Sequence, residues 1–121
     1  MKIIYCSKLM DFSNTRRNYY NVGDIRLSDV SLYNRDDAHR YHKHNRVTEV
    51  LFVLEGSIIV KIKEDEKIKE QKVNKNNIAV IYAGGKHTVA SVEEKARILV
   101  IKYIKTNEDL LETFLSDFEE N

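Results

Sequence analysis

His42, His44, Glu49 and His87 carry nitrogen and oxygen donors suited to a transition metal, and their spacing lets all four reach one divalent ion. Side chains two apart on an extended strand share a face and lie about 6–7 Å apart, so His42 and His44 are both able to close on one ion. Glu49 follows His44 at an odd offset, which would turn it to the opposite face of a continuous strand. The chain must therefore turn or bulge across Asn45 to Thr48. Glu49 then opens the strand-like run to Leu54, and His87 joins from a distant segment through long-range folding.

The elements that must position these residues are short strands separated by turn signals. Ile25 to Leu27 and Val30 to Leu32 alternate well enough for strands, and Asn34 to Asp37 forms a turn before the histidines. Glu55-Gly56 punctuates the chain before Ile58, Val60 and Ile62, which alternate with Ile59, Lys61 and Lys63 as in a strand with one wet face. Asp65-Glu66 closes a hairpin onto Lys67 to Val73, and the Lys/Glu run from Lys61 to Lys75 is a solvated hairpin face. Asn74 to Asn77 turns again, Ile78 to Tyr82 is an apolar strand, and Gly84-Gly85 leads into His87 to Val89. Ile98 to Ile101 completes the set. Many short strands at even spacing predict an all-β sandwich or barrel. The C-terminal stretch differs: Leu110, Leu111, Phe114, Leu115 and Phe118 recur at helical spacing behind a Thr106 or Asn107 cap. This predicts a helix over about 107–119, lying over a barrel opening or sheet edge, or forming a dimer contact.

Composition bounds the rest. A chain of 121 residues that is 42% hydrophobic supports a single domain with a small core. A net charge of +1 with both signs dispersed argues against a nucleic-acid groove, despite the basic and aromatic cluster of Arg16, Arg17, Tyr19 and Tyr20. No apolar run approaches the ~20 residues needed to span a membrane. The opening residues, Met1 to Cys6, lack the apolar core of a signal peptide, so the cytoplasm is the expected compartment. Cys6, the single cysteine, is expected as a small buried hydrophobe and not a nucleophile.

In its motifs the chain resembles the cupin family. The first cupin motif places two histidines as HxH, then a glutamate and a glycine, matched here by His42, His44, Glu49 and Gly56; the second places a glycine three residues before a histidine, matched by Gly84 and His87. The resemblance covers about residues 24–104 and implies a double-stranded β-helix, or jelly-roll barrel, with those four side chains as metal ligands. Asp36 and Asn76 stand where the family usually has turn glycines, Tyr82 where it has a proline and Ser91 where it has an asparagine. Asp and Asn tolerate turn conformations, so these departures bear on turn shape more than on metal binding. The resemblance also implies a homodimer, formed by sheet faces or by an exchanged N-terminal strand such as Lys2 to Tyr5.

A tetrahedral zinc with four protein ligands would leave no open position, whereas six-coordinate Fe(II), Mn(II), Co(II) or Ni(II) keeps room for water, substrate or oxygen. An active centre thus favours the octahedral metals over Zn(II). Three neutral imidazoles and one carboxylate around a divalent ion leave a charge of about +1, which suits a small carboxylate, hydroxy-ketone or sugar acid. Tyr82 and Tyr103 are candidate catalytic phenols, and Arg46 and Lys86 flank ligands and are candidates to hold a substrate carboxylate. Two functions follow from one pocket: a metal-dependent isomerase, lyase or dioxygenase, or a module that binds or senses a small sugar or anion without turnover.

Overall fold

Inward apolar residues alternating with outward polar ones set the architecture. The computed structural model describes residues 1–5, 8–12, 15–23, 25–33, 41–45 and 47–104. The strands are β1 (Lys8–Phe12), β2 (Thr15–Val22), β3 (Ile25–Tyr33), β4 (Val47–Glu55), β5 (Ser57–Glu64), β6 (Lys67–Asn74), β7 (Ile78–Ile81), β8 (Lys86–Ser91) and β9 (Lys95–Ile104). They pair antiparallel into a six-stranded sheet, ordered β1-β2-β3-β9-β4-β7, and a three-stranded sheet, ordered β6-β5-β8.

On β3 burial alternates, so that Ser28, Val30 and Leu32 point inward, opposite Val100, Ile98 and Ala96 of β9. Leu51 and Val53 of β4 add to the same interior, and Ile58, Val60 and Val73 come from the smaller sheet. Burying each of the larger aliphatic side chains contributes roughly 1.5–3 kcal/mol. This is the all-β, two-layer arrangement the strand pattern predicts. No helix is present among the described residues, and none is long and apolar enough to cross a membrane.

Two strand expectations change. Ile25–Leu27 and Val30–Leu32 merge into the single strand β3, because Ser28 and Asp29 continue the alternation instead of breaking it. The polar opening contains a hairpin, β1–β2, that extends the sheet beyond residue 24 to Lys8. Outer strands need little apolar sequence: in β2 only Thr15 is fully buried, so the usual periodic signal is weak. Lys2 to Tyr5, expected as a strand, has no strand structure, and Ile3 and Tyr5 are exposed. Cys6, the turn containing Asp36, Arg46 and the helix over about 107–119 lie outside the described residues.

The turns that fix the register obey simple backbone rules. Asp65 and Glu66 both take positive φ, 52° and 60°, and join β5 to β6 with Glu64 opposite Lys67, the geometry of a two-residue hairpin turn. Asn76, with φ of 69°, fills a left-handed position as the resemblance to a glycine site required. At Gly56, φ is 72° and an added Cβ would lie 2.9 Å from the Lys95 carbonyl oxygen, so the β4–β5 reversal excludes larger residues. Apart from Val73, β6 is exposed, which matches the solvated face expected of this hairpin.

Candidate metal centre

His87 lies second in β8, where strand alternation turns it into the interior; it is 1% exposed. The expected histidine strand is reduced to a short edge. His42 and His87 form an isolated antiparallel bridge, His42 N donating to His87 O at 3.0 Å and His87 N to His42 O at 2.8 Å. Gly84 N then donates to His44 O at 2.7 Å, one residue out of that register. The shift arises at Gly84, whose φ of 90° is open to glycine alone, and it stops the ladder from continuing as a regular strand. Residues 41–45 are nevertheless held along β8. Glu49 comes from the other sheet, on β4, opposite Ile81 of β7 and Lys102 of β9.

The four side chains converge. Their potential ligand atoms all lie within 4.8 Å of one another. The ring of His42 lies 4.3 Å from that of His87 and 5.4 Å from that of His44, centroid to centroid. His44 Nε2 is 2.8 Å from Glu49 Oε1, and His87 Nε2 is 3.3 Å from Glu49 Oε2. Despite these distances, His44 Nε2, Glu49 Oε1 and His87 Nε2 are buried atoms without a correctly oriented hydrogen bond. Burying such atoms unmatched costs about 1–3 kcal/mol each, more when charged, and an ion placed among them would satisfy all three.

The tautomer of His87 supports the same fit. Its Nδ1 is 2.9 Å from the Gly85 carbonyl oxygen, which can only accept, so Nδ1 carries the hydrogen. In the neutral ring Nε2 then presents a lone pair toward the Glu49 carboxylate. Two lone pairs face each other, and only a proton or a metal cation between them removes the repulsion. A ring nitrogen fixed by a backbone carbonyl in this way is the usual support of a histidine ligand. The donor set therefore fits a divalent ion, with His42, His44, Glu49 and His87 able to hold it.

Electrostatics sharpen the picture. Burial would raise the Glu49 pKa, but contact with His87 and the charge of Lys102 outweigh it and hold the carboxyl at about 2. Burial pushes His44 below the ordinary histidine value, against the pull of Glu49, with Lys102, His87 and Arg17 adding to the depression. For His87 burial acts downward too, yet the Glu49 contact and the Gly85 carbonyl prevail and raise it. Glu49 is thus an anion and His44 a neutral donor at neutral pH.

Lys102 is a site residue that the sequence reading missed. Its ammonium lies 3.5 Å from Glu49 Oε1 and its side chain is 17% exposed. The signal was present: Ala96, Ile98 and Val100 mark the inward positions of β9, and Lys102 continues them. The other candidates are distributed differently. Tyr82 is 70% exposed and lines a surface cleft of about 730 Å³ together with Lys43 and Lys86. Lys86 precedes His87 on β8, so its side chain leaves by the opposite face. Tyr103 borders a smaller cavity of about 360 Å³ with Lys102, Arg26 and Asn21. The fold brings the four ligand candidates together but does not bring Tyr82 or Lys86 to them.

No protein-family model and no curated protein matches the sequence. Solved structures do. The hydroxypropylphosphonic acid epoxidase from S. wedmorenis aligns with a TM-score of 0.70 at 17% identity, over 79% of this chain and 55% of that one. KdgF from Halomonas sp. aligns with a TM-score of 0.67 at 13% identity, over 85% of this chain and 92% of that one. A Neisseria meningitidis protein aligns with a TM-score of 0.60 at 20% identity, over 72% and 82%. The chain spans about 55% of the epoxidase's length. The epoxidase has been seen with Fe(II), and with Co(II) and substrate. The shared feature is the fold: this chain has a small cupin-type barrel, and it carries a His-His-Glu-His group that could bind a divalent metal.

Proposed function

We propose, taking the cupin-type barrel as premise, that the chain is a metalloenzyme of isomerase, lyase or dioxygenase type acting on a small carboxylate, hydroxy-ketone or sugar acid. His42, His44, Glu49 and His87 are its metal ligands. The observation that carries this reading is the trio of buried atoms, His44 Nε2, Glu49 Oε1 and His87 Nε2, that face one another without hydrogen bonds. Observation of the epoxidase with Fe(II), and with Co(II) and substrate, favours an octahedral ion over zinc.

A divalent ion held here supplies Lewis acidity toward a carbonyl or enediolate oxygen, or a position for oxygen itself. The chain's own residues do the remaining work. The Gly85 carbonyl locks the His87 ring so that Nε2 points at the centre. Lys102 shares the Glu49 carboxylate and adds positive charge on the substrate side. Tyr103 alternates with Lys102 on β9 and so takes the other face; it belongs to this proposal as a phenol that holds or passes a proton only at the rim of the cavity it borders with Lys102. Tyr82 and Lys86 belong to this proposal only for a substrate long enough to leave the barrel interior, and Arg46 stays a candidate to hold a substrate carboxylate.

The test is to supply Fe(II) or Mn(II) to the purified chain and follow oxygen consumption and substrate-proton exchange across a panel of hydroxy-ketones and uronates. Turnover that disappears in Glu49→Gln is the expected result. Stoichiometric metal and saturable ligand binding without turnover would establish the sensing module instead.

We also propose a homodimer through the outer face of the six-stranded sheet. Ile78, Val80 and Tyr82 stand on alternate positions at its β7 edge and are 56%, 38% and 70% exposed. An apolar row of this kind on a sheet margin suits a second copy of the same surface.

A further inference from the structure

The inner wall of the six-stranded sheet carries polar groups that a metal ion would not use. Arg17 of β2 pairs directly with Val30 of β3, which is 0% exposed, so the two side chains share the inner face. Arg17 Nε is buried and has no hydrogen-bond partner, and Arg17 makes no ion pair among the described residues. Ser28 lies two positions from Val30 on that face; it is 0% exposed, and its Oγ is equally unpartnered. One step further along the same face is Arg26, directly opposite Lys102 of β9. Ser28 therefore sits between the rows of Arg17 and Lys102.

The wall is coupled to the four-residue cluster. Lys102 lies directly opposite Glu49 in the β4–β9 ladder with its ammonium 3.5 Å from Glu49 Oε1, and Ser28 lies one row away along the same inner face. A guanidinium, a hydroxyl and an ammonium thus face the interior beside the cluster, two of them with buried donors unspent. A guanidinium fork matches a carboxylate in two parallel hydrogen bonds, and such bonds strengthen where water is excluded.

We propose that Arg17 and Ser28, with Lys102 alongside, form a carboxylate subsite on the inner barrel wall. The ligand of this protein is then an acid with two oxyanion ends, one for the metal and one for this wall. The placement of the first end rests on the metal-centre reading; the subsite itself does not.

Malonate is the simplest probe. It is titrated calorimetrically into the full chain, metal-free and Co(II)-loaded, for the wild type, Arg17→Ala, Arg17→Lys and Ser28→Ala, with metal content measured for each. The subsite requires Arg17→Ala to weaken malonate about tenfold or more in either form, Arg17→Lys to recover part of the loss, and metal content to stay constant. Should Arg17→Ala fail to fold, Ser28→Ala and Arg17→Lys carry the comparison. Malonate binding within about twofold of wild type in these variants, or none to the wild type, overturns the subsite. Arg17-dependent malonate binding in a chain that takes up no metal keeps the subsite and overturns the metal-centre reading. Full metal loading with Arg17-independent malonate binding does the reverse.

Discussion

His87 shows how a single hydrogen bond determines what a buried ring can do. With Nδ1–H committed to Gly85, Nε2 must share either a proton or a cation with Glu49, and the raised pKa of His87 says that the proton is a strong competitor. Metal affinity is therefore expected to fall as pH drops, beginning above the ordinary histidine value of 6.5, with protons released on binding. Calorimetry in buffers of different ionisation enthalpy between about pH 5 and 8 reads both quantities. Affinity that is flat across this range would remove the imidazoles from the coordination sphere. In the metal-free chain the linkage has two limbs. His87, raised when folded, stabilises below 6.5 and loses that contribution as pH rises through its folded value; Glu49, lowered from 4.5 to about 2, stabilises above 4.5 and loses it as pH falls toward 2. Ser28→Ala, which removes a buried hydroxyl that bonds to nothing, should raise stability by about 1 kcal/mol in denaturant titrations of the ligand-free chain. The four ligand candidates were legible in the sequence because their donor types recur at a spacing that can meet on one ion, His42 and His44 two apart, Glu49 five further on and His87 three after Gly84. Arg17, Ser28 and Lys102 were harder to see, since serine and cations are ordinary on wet faces and only the pairing of β2, β3 and β9 turns them inward.

At the scale of elements, the turns were more legible than the strand ends. Gly56 marked the β4–β5 reversal, and its positive φ and close approach to the Lys95 carbonyl account for it. Gly56→Ala is expected to destabilise by about 1–3 kcal/mol, measured by chemical denaturation. The β5–β6 turn offers the opposite case. Asp65 and Glu66 occupy positive-φ positions that glycine or asparagine normally takes, so Glu66→Gly should stabilise by about 0.5–1 kcal/mol and raise the melting temperature. The β1–β2 hairpin escaped the pattern reading because an outer strand needs only one sparsely apolar face. The histidine segment was misread as a full strand because periodicity cannot anticipate the register slip imposed at Gly84.

At the scale of the whole molecule, the all-β class followed from the even spacing of alternating runs, whereas the partition into two sheets of unequal size depends on long-range pairings that no local pattern encodes. If the outer face of the larger sheet joins two copies, light scattering should give twice the chain mass, and Val80→Glu, which places charge in the exposed β7 row, should return the monomer. The centre also draws its donors from both layers: His42 and His44 lie along β8 and His87 within it on one side, while Glu49 comes from β4 on the other. An ion caught there is a clasp across the two halves of the sandwich. Its removal by a chelator should loosen them together, so that hydrogen exchange quickens around Glu49 in β4 and His87 in β8 while the β4–β5 reversal at Gly56, at the other end of β4, is unaffected, and saturation at about a hundred times Kd should restore roughly 2.7 kcal/mol.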